Sequence, residues 1–499
     1  MRILYIDIDS LRPDHLGCYG YPRPISPNID AIAAEGVRFN QFYASDTPCV
    51  PSRASLFSGR AGINNGVVAH EHIPAASNLR YGNQHRNGDA PVWMHLLAKN
   101  GIHTTSFSSF ANRHLMGWFH FGFREFHLES LKNGDEEAHE VNEVFLPWLE
   151  RNAKNENWFV HLNYWEPHTY YTQPKTYCDF AAQYPAPEWP DAATIERQQR
   201  DTGVRSASHI WTQAESPNGK SRFPNMPDKL RNRGDFEHLI NGYDGAIAYL
   251  DEQLGRVFDL LKAQGVWDET AIIISADHGE AFGELGQYME HGSAAPAVHH
   301  IPLIIKWPGI TDVCAGESRD ELLLNIDLTA TVADGLGLEP PAGWNGQSFL
   351  PLLEGKELSS PRQQLIWSHG LHTRQRAVFD GKWCFIRTYE PSYYEYPPRM
   401  LFNLENDPHT DRNLIDQEPE QAAALELELL NWEKTHVAAT GLPDPMREIE
   451  SIPVNVLGGV NAHLKVLESE GRTADAERLR EIRSRVSTDY AAPSLEGTP

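Results

Sequence analysis

A few residue types along this chain have the chemistry of a reactive site. Cys49 stands in "TPCVPSRASLFSGR" (47–60), with Pro51 and Arg53 close behind it. Proline favours the first turn of a helix, so Cys49 falls at a helix N-terminus, where the backbone dipole favours an anion. Arg53 adds a forked donor matched to a tetrahedral oxyanion. Cys49 is then either a small buried filler or a nucleophile, one that acts as a thiol or only after chemical alteration.

Acids and an imidazole stand at two other places. Asp9 closes the run "ILYIDID" (3–9), and Asp277-His278 closes "TAIIISADHGE" (270–280). Carboxylates and an imidazole at neighbouring strand ends can hold a divalent cation. Mostly oxygen ligands favour Ca²⁺ or Mg²⁺, whereas more imidazole favours zinc. Asp7 lies on the same strand face as Asp9, one pleat back. If buried there it needs a partner, as a neighbour of the ligands or as a weaker ligand.

The elements that must position these groups alternate. Short apolar runs at 3–9, 157–168, 270–280 and 301–309 read as buried strands. The stretch 26–36 reads as a helix, with Ser26 as cap, Pro27 in the first turn and Gly36 as stop. The stretch 245–265 carries Ile247, Leu250, Leu254, Val257, Phe258 and Leu261 at helical spacing. Such alternation argues for an α/β fold with a large, mostly parallel sheet flanked by helices on both faces. Sites in such sheets form beyond the carboxyl ends of the strands, where the Asp and His residues fall.

Residues 172–235 are rich in Pro, Asn, Gln and charge, and read as an irregular insertion, either a lid or a surface excursion. From about 360 the pattern changes. Residues 375–389 read as a hairpin turning at Asp380-Gly381, 399–408 as a strand, and 419–434 and 473–486 as helices. This predicts a catalytic domain over 1–358 and a smaller C-terminal α+β subdomain with an antiparallel sheet over 359–499, ending in a loose tail.

The chain has 499 residues and a net charge of −25, which argues against a nucleic-acid or acidic-membrane partner. Its five cysteines are scattered and show no C-x-x-C spacing, so neither a disulfide framework nor a structural zinc site is expected. No leader pattern opens the sequence and no apolar run approaches the roughly 20 residues of a membrane span; the expected location is the cytoplasm.

Taken together, "CVPSRASLFSGR" resembles the signature of the sulfatase family, within the alkaline-phosphatase-like superfamily. "DIDSLRPDHLGCYGY" (7–21) and "SADHGEAFGELGQYMEHG" (275–292) resemble its two metal strands. "WEPHTYY" (165–171) resembles its Pro-His substrate motif, and "LFNLENDPHTDRNL" (401–414) its C-terminal hairpin. The matches keep the family's order.

The resemblance implies a sulfuric ester hydrolase in which Cys49 is converted to formylglycine by a formylglycine-generating or sulfatase-maturating enzyme. One oxygen of the hydrated aldehyde attacks sulfur; the other then loses its proton and expels sulfate. The resemblance also implies Asp9, Cys49, Asp277 and His278 as ligands of Ca²⁺, with Mg²⁺ or Mn²⁺ as alternatives. Arg53 orients the nucleophile, and His168 contacts the sulfate of a small-molecule or oligosaccharide ester.

Three positions depart from the family pattern. Ser10 stands where a second acidic ligand is common. His291 stands where the family carries a loop lysine, and can still donate a proton to the leaving oxygen. "FANRHLMGW" (110–118) keeps His114 but has Asn112 or Ser109 at its lysine position; Arg113 either supplies the missing charge or is a surface residue. Lys306 ends a strand and points either to the site or to solvent. The aromatics of "RTYEPSYYEYPPRM" (387–400) either line a substrate pocket or pack. The shell, with one carboxylate fewer, also resembles that of phosphonate monoester and phosphate diester hydrolases, and a non-catalytic anion- or glycan-binding relative is a third reading.

Overall fold

The computed structural model describes all residues except 71–72, 74–75, 81–91, 128–131, 133, 202, 204, 211–222, 228, 450–459 and 486–499. The expected loose tail and the last residue of the 473–486 helix lie outside the described residues.

The strand Arg2–Ile8 is buried along its whole length and sits inside an eight-stranded sheet. It runs parallel to Trp158–Tyr164 on one side and to Thr270–Ala276 on the other. These runs have no polar face because helices cover the sheet on both faces. Ile272, Ile273 and Ile274 are fully buried, and each such side chain contributes roughly 2 kcal/mol by leaving water. Beyond Trp158–Tyr164 lie His103–Phe107 and Glu125–His127; beyond Thr270–Ala276 lie Leu303–Lys306, Val37–Phe39 and Ser318–Arg319.

All but one of these strands run the same way. Leu303–Lys306 is antiparallel to both neighbours, and that settles Lys306. The residue pairs with Ile272, near the start of its neighbour, at the end of the sheet away from Asp277. Its ammonium lies over the Trp267 ring, 3.7 Å from the centroid, and 3.2 Å from Glu35. It points neither into the site nor freely into solvent.

The helices Pro27–Glu35, Ala138–Asn152 and Arg233–Ala263 pack together, and a second group contains Cys49–Ser58, Trp93–Lys99 and Asn325–Gly335. The 172–235 stretch is less irregular than its composition suggests. It holds two short helices, Lys175–Ala181 and Ala192–Gln198, and the 31-residue helix begins inside it at Arg233. Asn232 caps that helix by accepting from the Asp235 amide, a local bond that apolar periodicity does not reveal.

The second sheet has the expected antiparallel strands Arg374–Phe379, Trp383–Glu390 and Arg399–Asn403, and adds Leu365–His369, which the sequence reading did not name. The turn at Asp380-Gly381 is present, with Gly381 at φ 93°, where a side chain would be strained. The helix Pro419–Thr440 closes one face over Ile366, Val378, Phe385 and Leu401. A fifth strand, Asp46–Thr47, joins the edge parallel to Leu365–His369. The residues leading into Cys49 are thus part of the C-terminal sheet. Among the described residues, no helix is long and apolar enough to cross a membrane.

Candidate active site

The sheet delivers its chemistry at the carboxyl ends of two adjacent strands. Asp9 follows Arg2–Ile8, and its amide still donates to the Tyr164 carbonyl at 3.0 Å. Ser10 then turns the chain, at φ 63°. Its amide donates to Asp277 Oδ1 at 3.2 Å and its hydroxyl to Asp9 Oδ1 at 3.0 Å, so Ser10 braces the two carboxylates against each other. Asp277 and His278 follow Thr270–Ala276.

The helix carrying Cys49 starts two residues earlier than Pro51 suggests, at Cys49 itself. Pro48 occupies the cap position without a capping side chain. Ser52, one turn in, ties this end to the sheet by donating to the Asp277 carbonyl at 2.6 Å. The helix N-terminus is thereby pressed against the two acids.

Ligand atoms of Asp9, Cys49, Asp277 and His278 all lie within 4.8 Å of one another, and all four residues are buried. His278 Nδ1 donates to the Gly279 carbonyl at 2.8 Å, which leaves the lone pair on Nε2, 3.1 Å from Cys49 Sγ. Two carboxylates, one oriented imidazole and residue 49 form a donor set that fits a divalent cation.

Arg53 lies behind these groups with no solvent exposure. Its Nε donates to Asp7 Oδ2 at 2.8 Å, and its Nη1 donates to Asp277 Oδ2 at 2.5 Å and to Asp9 Oδ2 at 3.2 Å. Its guanidinium carbon stands 4.6 Å from the centre of the Phe110 ring, and Nη2 has no hydrogen-bond partner among the described residues. Asp7 does not join the ligand cluster; it holds Arg53.

Charge in this shell is unevenly shared. Burial works against ionisation of Asp9, but Arg53, His168 and His278 outweigh it and hold the carboxyl below its ordinary range. Burial, with Asp9 adding to it and Arg53 only partly offsetting it, pushes Asp277 up to about 7. Burial, reinforced by Asp9 and Asp277, also pushes the Cys49 thiol well above its usual value. An unaltered thiol here is a poor nucleophile.

His168 and His291 also approach Cys49, and these three residues have ligand atoms within 4.8 Å of one another. His168 is half-buried, and its Nδ1 donates to the Thr169 carbonyl at 2.5 Å, leaving Nε2 as the open nitrogen. Burial lowers its pKa to about 4. His291 lies 3.3 Å from Glu280 Oε1 through Nδ1, and its ring centre is 4.3 Å from that of His278. Burial, then the neighbouring His278 and His168, lower it well below the usual imidazole range.

His114 ends the short helix Phe110–His114 and packs on His70 and Phe110, the same Phe110 that lies under Arg53. Arg113 is not a plain surface residue. Its Nη1 donates to the Gly134 carbonyl at 3.1 Å, its guanidinium lies over the Trp165 ring at 5.0 Å, and its charge acts on Asp9, Cys49 and His168. Ser109 instead donates to Glu136 at 2.7 Å. Tyr393 and Tyr394 are buried, and Tyr394 stacks on Tyr396 at 5.1 Å, which is packing.

His161 is a member of this network that the motifs in the sequence do not mark. Its Nε2 lies 3.0 Å from Asp7 Oδ2 and its Nδ1 3.0 Å from Ser106 Oγ, completing a line from the sheet interior through Asp7 to Arg53. The available signal was an ionisable residue inside the apolar run "WFVHLNY". Thr47 lies between His299 Nε2 and His369 Nδ1, 3.0 Å from each, and nothing local marks it either.

The chain is similar to known proteins over most of its length. The sulfatase family model matches residues 2–338, and a model described as N-sulphoglucosamine sulphohydrolase, C-terminal, matches 288–435. The multifunctional alkaline phosphatase superfamily protein PehA of Trinickia caryophylli is 25% identical, over 88% of this chain and 96% of its own. The choline-sulfatase of Rhizobium meliloti is 26% identical over 78% of each. Among solved structures, the phosphonate monoester hydrolase of Agrobacterium radiobacter has a TM-score of 0.69 at 21% identity, covering 87% of this chain and 96% of that one. A protein solved in complex with its substrate D-glucosamine-2-N,6-O-disulfate has a TM-score of 0.70 at 19% identity, covering 89% and 99%. These likenesses identify an alkaline-phosphatase-like fold.

Proposed function

This chain belongs to the sulfatase family, and on that footing we propose that it hydrolyses a sulfate monoester at a site centred on residue 49. One observation carries the reading. Cys49 is shared by two groups of side chains, one of Asp9, Asp277 and His278 and one of His168 and His291. A sulfate ester between them would meet a nucleophile, positive charge and a proton donor at once.

Asp9, Asp277, His278 and residue 49 would hold the cation, Ca²⁺ on the balance of oxygen donors, with Mg²⁺ or Mn²⁺ as alternatives. When bound, the cation supplies positive charge that acidifies a neighbouring hydroxyl and offsets charge on the sulfate. Conversion of Cys49 to formylglycine, by a generating or maturating enzyme acting on 47–60, would replace the poorly ionised thiol by an aldehyde hydrate. Arg53 holds Asp7, Asp9 and Asp277 and would offset negative charge on that nucleophile. The negative charge of a bound sulfate favours protonation of both imidazoles, so that His168 donates from Nε2 to a sulfate oxygen and His291 is placed to protonate the leaving oxygen. His114 and Arg113 complete the wall, Arg113 in place of the family's lysine. We assign catalysis to residues 1–358, specificity to the 172–235 insertion, and support to 359–499.

The substrate class would be a sulfated sugar or a small metabolite sulfate. A screen of sulfated sugars, choline sulfate and aryl sulfates, run on protein with confirmed conversion, tests this. Conversion reads as a mass deficit of about 18 Da on the Cys49 peptide. Absence of turnover on every sulfate ester, with conversion confirmed, rejects the reading. A second reading is favoured by Ser10, whose hydroxyl is committed to Asp9 and leaves the shell one carboxylate short. It takes a phosphonate monoester or phosphate diester as substrate, and higher kcat/KM on those aryl esters than on aryl sulfate would select it.

A further inference from the structure

We propose that the hairpin of Leu365–His369 and Arg374–Phe379 is a template that sets the separation between Cys49 and His291, with Thr373 and Gln375 as positioning residues. The inference rests on the reading of His291 given above.

One arm of the hairpin holds the approach to Cys49. Ser368 and His369 pair with Asp46 and Thr47, and the Ser368 amide donates to the Ser45 carbonyl at 3.0 Å. The Thr47 hydroxyl is gripped between His299 and His369. Cys49 follows two residues later.

The turn and both arms hold the chain just past His291. Thr373 Oγ1 donates to the Gly292 carbonyl at 2.9 Å, and the Ala294 amide donates to Gln375 Oε1 at 2.9 Å. Trp367 Nε1 donates to the Ala294 carbonyl at 3.0 Å. Gln375 is steadied from behind by the Thr388 hydroxyl, 3.1 Å from its Nε2. Thr373, Gln375 and Trp367 are all 0% exposed. The turn itself has no slack, because a Cβ at Gly370 would stand 2.2 Å from the Val68 carbonyl oxygen.

Apolar packing alone could bury this loop. Directional bonds to two consecutive stretches of its backbone do more: they fix where the His291 backbone sits relative to the strand that ends at Thr47. Both ends of the Cys49–His291 gap are then measured from one rigid hairpin.

The test compares two substrates, 4-nitrophenyl sulfate, whose leaving group needs no protonation, and an alkyl sulfate, whose leaving group does. Thr373→Val removes the donor to Gly292 at nearly constant volume, and Thr373→Ser keeps it. Thr373→Val is expected to lower kcat on the alkyl sulfate about ten- to a hundred-fold, with the aryl sulfate and both KM values within about three-fold. Thr373→Ser is expected to restore the alkyl-sulfate rate. His291→Ala, run in parallel, should show the same selective loss. If His291→Ala loses the alkyl substrate selectively while Thr373→Val slows both esters equally, the template idea fails and the role of His291 stands. If His291→Ala itself shows no selectivity, both fail. Should Thr373→Val not fold, as judged by thermal melting, Gln375→Met removes the acceptor of the Ala294 amide and carries the same comparison.

Discussion

Arg53 Nη1 stands 2.5 Å from Asp277 Oδ2, in a shell closed to solvent. The same guanidinium also serves Asp7 and Asp9, so one positive charge faces three carboxylates. Burial of that many acids is tolerated only where charges are paired, which explains the arginine behind the cluster and is the reason a cation in front of it is proposed.

Removing the arginine should therefore be costly. Arg53→Met is expected to lower unfolding free energy by about 3–5 kcal/mol, because it strands buried carboxylates. Urea denaturation measures it. A loss within experimental error of zero would mean that the acids are neutralised in some other way.

Cation binding should be visible as stability, independently of turnover. Ca²⁺ at a hundred times its Kd should stabilise the protein by about 2.7 kcal/mol, read as a rise in Tm that EDTA reverses. Asp9→Asn and Asp277→Asn should each lose most of that rise. Retention of the full rise in both variants would place the ion elsewhere.

Arg113 is the test of charge at the site mouth. Its guanidinium acts on Asp9, Cys49 and His168, so Arg113→Met should lower kcat/KM for a sulfate ester about ten- to a hundred-fold, the worth of one charged hydrogen bond. Unchanged kinetics at unchanged Tm would return Arg113 to the surface role.

Lys306 supplies the opposite expectation. It sits at the far end of the sheet over Trp267, so Lys306→Met should leave kcat and KM as they are. The lost cation–π contact should cost about 1 kcal/mol of stability. A selective loss of activity would contradict the strand direction described above.

The sequence by itself determined the parts with local causes. Apolar runs ending in acid marked the buried strands, because a strand covered on both faces has no polar side. Pro51 and Arg53 marked the helix that presents Cys49, and Asp380-Gly381 marked its hairpin, because only a few residues suit such turns. The residues named from the family resemblance, Asp9, Cys49, Arg53, Asp277, His278, His168 and His291, lie together in the structure. What the sequence could not carry was direction and distance across the chain. Whether Lys306 faced the site depended on one strand running antiparallel. That Ser10 braces two carboxylates, that His161 reaches Arg53 through Asp7, and that a C-terminal hairpin grips both Thr47 and the loop after His291 are contacts between residues 46 to 322 positions apart, Ser10's own bond to its neighbour aside. No local preference encodes them; they exist only once the sheet order places those strands side by side.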